Sequence, residues 1–81
     1  SEIRNQVVGI LKKNPNGIDA YAITLTLADP DKVGYKGFYT KYRSVRYHLK
    51  KLVEENKAKR LPSQPSKIGQ DKIPYKLIEE K

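Results

Sequence analysis

The strongest constraint on the fold is an amphipathic segment at residues 40–55. Apolar side chains recur there at helical spacing, at Tyr42, Val45, Leu49, Leu52 and Val53. The spacing predicts a helix over 40–55, with Thr40 as its N-cap and Asn56 in a left-handed conformation just after its end. Because such a helix must bury its apolar face, the rest of the chain has to supply a core around it.

Two shorter helices are predicted before this segment. Residues 1–13 carry apolar side chains at i, i+4, i+7 and i+8, which is one helical face. Residues 20–28 alternate partly like a strand, but Asp19 is a good N-cap, so a short helix is favoured there. Residues 29–39 contain proline and glycine and are predicted to form a long loop.

A β-hairpin is predicted after the amphipathic segment. Residues 58–61 and 75–79 form its strands, and a long polar loop at residues 62–74 joins them. The chain has 81 residues and no cysteine, which predicts one domain over residues 1–81 without a disulfide framework. The expected fold class is α+β, with three helices followed by a β-hairpin.

Positive charge is concentrated in one third of the chain. The net charge is +8, and residues 34–60 hold nine basic and two acidic side chains. Such a concentration indicates a polyanionic partner. The alternative is a solvated lysine-rich surface, which explains the abundance of lysine better than its segregation.

Catalytic and metal chemistry find little support in the residues. His48 is the only histidine and reads as a surface or half-buried side chain, and without cysteine a zinc site lacks ligands. The acidic pair Asp29 and Asp31 resembles the start of a calcium loop, but Thr40 stands where a bidentate Glu is required. We therefore expect no enzyme activity, no cofactor, no metal and no small-molecule substrate.

Membrane association is not expected either. No apolar run approaches the roughly 18 residues of a spanning helix, and the N-terminus lacks the basic and then apolar order of a signal peptide. These features predict a cytoplasmic protein.

The amphipathic segment has a polar face opposite its apolar one. With Val45 at zero and 100° per residue, that face lies near 210°. It collects hydroxyl, aromatic and cationic side chains, at Thr40, Arg43, Tyr47, Lys50 and Lys51, with Ser44 on its flank. Any surface helix has a charged outer face, but this one has no acidic residue before Glu54. Arginine, lysine and hydroxyls bind phosphates and base edges.

The order of helix, short helix, basic helix and hairpin resembles the winged helix-turn-helix family. Three stretches carry the likeness: residues 17–23 (GIDAYAI) resemble the entry into the second helix, residues 44–56 (SVRYHLKKLVEEN) the recognition helix and its exit, and residues 75–78 (YKLI) the returning wing strand. The family is defined by this pattern, and its small archaeal, plasmid and viral members are the nearest in type. Asn56 stands where the family usually has glycine.

The resemblance implies double-stranded DNA binding, with the third helix in the major groove and the wing on the backbone or minor groove. Carried over by position, the base-reading candidates are Thr40, Lys41, Arg43, Ser44 and Tyr47. The phosphate-binding candidates are Arg46, Lys50, Lys51, Lys59, Arg60, Lys67 and Lys72. The segment 35–39 adds aromatic and basic groups before the recognition helix and is placed to touch DNA itself.

The leading expectation is a sequence-specific, nucleoid-associated DNA-binding protein. It would be a transcription regulator, or a plasmid or viral protein of DNA partition or replication. A winged-helix module that binds a protein partner or RNA is the alternative. A homodimer on DNA is also predicted, because one module of this size seldom gives tight specific binding alone. Val8, Tyr21 and Leu25 are the apolar side chains that either line the dimer surface or complete the core.

Overall fold

The computed structural model describes residues 2–62 and 73–78. It contains three helices and three strands, in the order α1 (Glu2–Lys13), β1 (Ile18–Asp19), α2 (Ala20–Leu27), α3 (Pro30–Glu54), β2 (Ala58–Arg60) and β3 (Pro74–Leu77). The fold is therefore α+β, with three helices and a small three-stranded antiparallel sheet. This agrees with the predicted fold class.

The first two helices lie where the sequence predicts them. Asp19 caps α2, because its carboxylate accepts a hydrogen bond of 3.1 Å from the Ala22 N–H. Thr24 is fully buried in α2, and its hydroxyl donates to the Ala20 carbonyl at 2.8 Å. This bond within the helix satisfies the buried hydroxyl of Thr24. The prediction of a helix at residues 20–28, in preference to a strand, is therefore confirmed.

The predicted loop at residues 29–39 is wrong, because Asp29 and Pro30 begin α3 rather than end α2. The Asp29 carboxylate accepts a 2.9 Å hydrogen bond from the Asp31 N–H, as an N-cap does. Pro30 occupies the first turn, where a missing N–H costs nothing and its fixed φ suits the helix.

A glycine divides α3 into a first turn and a long regular part. Gly34 has φ 75° and ψ 170°, which breaks the helical path, and the helix resumes at Tyr35. Thr40 is thus inside the helix, where its hydroxyl donates to the Lys36 carbonyl at 2.8 Å. The predicted N-cap role of Thr40 is therefore wrong.

The end of α3 is as predicted. Asn56 has φ 61°, the left-handed conformation. Its N–H donates to the Val53 carbonyl at 3.1 Å, and the Lys57 N–H donates to the Leu52 carbonyl at 2.8 Å. This pair of bonds is a Schellman motif, in which asparagine takes the place that glycine usually fills. It turns the chain directly into β2.

The sheet has β3 in the middle, paired with β1 on one side and β2 on the other. Tyr75 of β3 lies opposite Ile18 of β1 and Arg60 of β2. The two hairpin strands are close to their predicted positions, whereas β1 is too short for the sequence to reveal. Most of the predicted loop at 62–74, residues 63–72, lies outside the described residues, as does Glu79.

Gly17 allows β1 to approach the hairpin. Its φ is 105°, and a Cβ at this position would lie 2.7 Å from the Leu61 Cδ1 and 3.2 Å from the Pro74 Cβ. Only glycine meets both requirements, so the turn after α1 and the close packing of the sheet depend on this residue.

The core lies between the helices and one face of the sheet. The inner face of α3 supplies Val45, Leu49 and Leu52, and side chains from α1, α2 and β2 surround them, namely Val7, Leu11, Ala20, Ile23 and Ala58. Phe38 is also buried, but in an aromatic environment outside this cluster. The packing fixes which face of α3 looks outward.

Candidate functional site

A groove of about 490 Å³ runs between the outer face of α3 and the hairpin strands. We call it the α3–hairpin groove. It is lined by basic, aromatic and a few other side chains, at Arg43, Arg46, Tyr47, Lys50, Val53, Glu54, Arg60 and Tyr75.

Helical spacing and strand pairing bring these residues together. Arg43, Arg46 and Lys50 recur at i, i+3 and i+7, so they share one face of α3. Arg60 lies opposite Tyr75 in the antiparallel ladder, and both border the groove. The groove thus joins residues that are distant in the sequence through the sheet that packs on α3.

The groove is electropositive. Arg43, Arg46, Lys50 and Arg60 line it, and among the lining residues that the structure describes Glu54 is the one acidic side chain. Cations held this close together repel one another and are stabilised by an anion between them. The arrangement can therefore bind phosphates, and its arginines can form paired hydrogen bonds with phosphate or guanine.

The charge of the neighbouring carboxylate, Glu55, is balanced by an ion pair outside the groove. The Arg4 guanidinium of α1 donates two hydrogen bonds to its carboxylate, at 3.0 and 2.6 Å, and the Lys57 Nζ lies 3.6 Å from it. The hydrogen bond from Arg4, with smaller contributions from the charges of Arg4 and Lys57, lowers the pKa of Glu55 to about 2. Glu55 is thus tied to α1 at the end of the helix.

Five of the predicted site residues meet in the groove: Arg43, Arg46, Tyr47, Lys50 and Arg60. Arg46 also lies 5.7 Å from the ring centre of Tyr42, which steadies its guanidinium on an aromatic surface.

The predicted hydroxyl ligands lie outside the groove. Thr40 donates to the Lys36 carbonyl, and the Ser44 hydroxyl lies 3.4 Å from the Thr40 carbonyl. A hydroxyl that donates to its own helix keeps only its lone pairs for a ligand. Thr40 therefore suits an amino group on a base edge better than a phosphate oxygen.

The other predicted cations are dispersed. Lys41 and Lys51 are half-buried and do not line the groove, and the Lys51 Nζ lies 5.7 Å from the ring centre of Tyr47. Lys59 is exposed on the face of β2 opposite Arg60, since strand residues alternate. Lys67 and Lys72 lie outside the described residues.

A second feature of α3 is a group of five rings, which we call the aromatic cluster: Tyr21, Tyr35, Phe38, Tyr39 and Tyr42. Phe38 is buried at its centre, with ring centres 5.2 Å from Tyr21 and 5.4 Å from Tyr39. Tyr35 is 79% exposed and stacks on Tyr39, with 6.5 Å between centres and 19° between planes.

Sequence reasoning missed three groove residues, Val53, Glu54 and Tyr75, as parts of the site. Tyr75 had no local signal, because its place depends on the register between distant strands. The helical continuity of Tyr35 and Tyr39 with Arg43 was detectable, since Asp29 followed by Pro30 is a helix-start signal.

His48 is half-buried beside Tyr47, in keeping with its predicted structural role. Burial, and then the nearby charge of Arg4, lower its pKa.

In residues 2–62 and 73–78, no cluster of three or more acidic or histidine side chains is arranged to hold a metal ion. None of the described helices is long and apolar enough to cross a membrane.

Comparison with known proteins finds no matching family model, no matching curated protein and no matching solved structure.

Proposed function

We propose that this protein is a winged helix-turn-helix protein that binds double-stranded DNA. In this reading α2 and α3 form the helix-turn-helix, α3 is the recognition helix, and β2 with β3 forms the wing. The observation that carries the proposal is the α3–hairpin groove, in which the cationic face of α3 and Arg60 of the hairpin line one concave, electropositive surface.

The dimensions of α3 favour a duplex over other polyanions. The outer face of the regular part of α3 is exposed and basic. The major groove of B-DNA is wide enough for an α-helix. The major groove of an RNA duplex is too deep and narrow to admit one. An acid-free stretch from Lys32 to Val53 keeps the outer face of the helix attractive to phosphates along its length.

The cationic residues of the groove differ in which part of a DNA duplex they are placed to contact. Arg43 is nearest the exposed N-terminal part of α3 and is the best placed for a base edge. Arg46 and Lys50 follow Arg43 towards the C-terminal end of α3, and Arg60 lies on the hairpin side of the same groove, so these three suit the phosphate backbone. Lys59 faces away from the groove, which argues against its predicted phosphate contact.

Control of transcription, or partition or replication of plasmid or viral DNA, remains the proposed process, in association with the nucleoid.

The homodimer also stays a prediction. Val8 is half-buried against the core, and Tyr21 packs on Phe38, which leaves Leu25, 45% exposed, as the freest of the three apolar side chains. Sedimentation of the DNA complex measures the number of chains bound per site.

Salt-dependent binding tests the function directly. If about 4–6 phosphates are neutralised, the logarithm of the association constant should fall with the logarithm of salt concentration with a slope of roughly −4 to −5 on duplex DNA. Single strands and structured RNA are the comparison ligands. A flat salt dependence on duplex DNA, or tighter binding to structured RNA, would overturn the proposal.

Arg60→Ala and Lys59→Ala form a matched pair for the wing. Both remove one exposed cation from β2, but only Arg60 borders the groove. We expect Arg60→Ala to reduce the salt slope by about 1, with little change for Lys59→Ala. Equal effects of the two variants would show that general charge, and not the groove, binds DNA.

A further inference from the structure

We propose that Tyr35, supported by Tyr39, stacks on an unpaired nucleobase beside the bound duplex. The preferred ligand would then be duplex DNA with a local distortion, such as a bulge, a mismatch or a fork. This inference rests on the proposed DNA-binding function and assigns a ligand feature to Tyr35 and Tyr39 of the aromatic cluster, which are not among the lining residues of the groove.

The first support is the exposure and shape of the pair. Tyr35 is 79% exposed and Tyr39 45% exposed, and their rings are nearly parallel, at 19°. Tyr35, stacked on Tyr39 and largely exposed, offers a flat surface that matches the flat face of a base. Base–aromatic stacking does not require a particular base.

The second support is the rigidity of the platform. Tyr39 makes edge contacts with buried Phe38, at 5.4 Å, and with Tyr42, at 6.0 Å, and Tyr21 packs against both of these rings. The exposed rings therefore stand on a packed aromatic base. Tyr39, which supports Tyr35, therefore has little side-chain entropy left to lose when a base stacks on Tyr35.

The third support is the continuity of the pair with the groove. Tyr35, Tyr39 and Arg43 follow one another at i, i+4 and i+8, so they lie along one side of α3. Tyr35 lies about 12 Å from Arg43 along the helix axis. A strand held by the groove would then place a nucleotide about four base pairs away beside Tyr35.

Charge favours a nucleic acid over a second copy of this chain as the occupant. Lys36 and Arg43 flank the tyrosines, and both are exposed. A two-fold interface opposes each patch to itself, so it would bring these cations of the two copies together. A polyanion neutralises the same cations. Asp31, the acid nearest in sequence, lies on the far side of the Gly34 kink.

The test uses the full chain and a short duplex that carries one bulged 2-aminopurine, with the fully paired duplex as reference. We expect tighter binding to the bulged duplex, by about 10-fold or more, and quenching of the 2-aminopurine fluorescence on binding. Tyr35→Ala should abolish both effects and weaken binding to the bulged duplex much more than binding to the paired duplex, whereas Tyr35→Phe, which keeps the ring, should retain them.

Several outcomes would overturn the inference. If the wild-type chain binds both duplexes equally, the pair does not stack, although duplex binding itself stands. If Tyr35→Ala weakens both duplexes equally, the residue acts on the backbone or on the fold. If Tyr35→Ala turns a DNA-free dimer into a monomer in sedimentation, the pair is a protein interface. Absence of paired-duplex binding, with the bulged preference intact, would instead overturn the proposed duplex function.

Discussion

The two halves of α3 belong to one helix but are held in place differently. From Val45 onwards the inner face is buried in the core, and α3 packs against α1, α2 and β2. Before residue 40, Phe38 is the buried side chain, and Tyr35 and Tyr39 project into solvent. The C-terminal half is thus positioned by the main core, whereas the N-terminal half is positioned by the packing of Phe38 against Tyr21 of α2.

This difference separates two kinds of surface chemistry. The packed half carries Arg46 and Lys50, which line the groove together with Arg60 and with Arg43 at the junction of the two halves. The projecting half carries the exposed rings of Tyr35 and Tyr39. Cations suit the phosphates of a duplex, and exposed rings suit the face of an unpaired base.

The largest expected effect comes from breaking the packed half. Leu49→Ala removes a fully buried side chain from the core and should lower the free energy of unfolding by about 2–5 kcal/mol. Denaturant unfolding measures this. Leu25→Ala, at a side chain 45% exposed, is the control and should cost far less. Similar losses for both would mean that Leu49 is not central to the core.

A glycine tests the projecting half. Gly34 has a backbone conformation that is essentially restricted to glycine, so Gly34→Ala should destabilise the fold by about 1–3 kcal/mol. Gly9 of α1 has equally open space around it but no positive φ, so Gly9→Ala should stabilise by about 0.5–1 kcal/mol. Opposite signs in thermal unfolding support the kink, and two stabilising substitutions would contradict it.

Arg43 lies at the junction of the two halves. Arg43→Ala should weaken binding to a preferred duplex site by about 1–3 kcal/mol and relax the preference at one position. Lys12→Ala removes an exposed cation from α1, away from the groove, and is the control for net charge. Competition binding with a randomised duplex pool measures both variants; identical, sequence-independent losses would show that α3 does not read bases.

The smallest expected effect is at the end of α3. Because the pKa of Glu55 is about 2 in the folded state and 4.5 ordinarily, its ion pair with Arg4 stabilises the fold above pH 4.5. That contribution is lost as the pH falls through 4.5 towards 2. Glu55→Gln should therefore flatten the acid limb of a pH-dependent unfolding curve. An unchanged acid limb would mean that the exposed pair adds nothing to stability.

Much of the fold is readable from the sequence because local signals agree with tertiary packing. The apolar spacing that includes Leu49, the cap at Asp19 and the left-handed Asn56 each specify a local structure that the fold retains. The predicted start of this helix at residue 40 is wrong because proline occurs both in the first turn of helices and in loops, and glycine both at helix boundaries and in loops. Asp29 and its bond to the Asp31 N–H decide between these roles.

The site was only partly predictable. Helical spacing correctly grouped Arg43, Tyr47 and Lys50 on one side of α3. The same projection placed Thr40 near the centre of the predicted binding face and Ser44 on one flank, but the hairpin packs beside the other flank. Which flank becomes a groove depends on long-range pairing of β3, and no local pattern encodes that.

The order of the strands has a consequence for how the chain acquires its shape during synthesis. β1 and β2 do not pair with each other; each pairs with β3, which follows both in the sequence. The three helices can therefore assemble first, because their contacts join segments that are close in the sequence. β1 and β2 can pair only after β3 has been synthesised. Pairing of Tyr75 with Ile18 and Arg60 completes the sheet and the groove together. The α3–hairpin groove is thus complete only after β3, the last strand in the sequence, has paired.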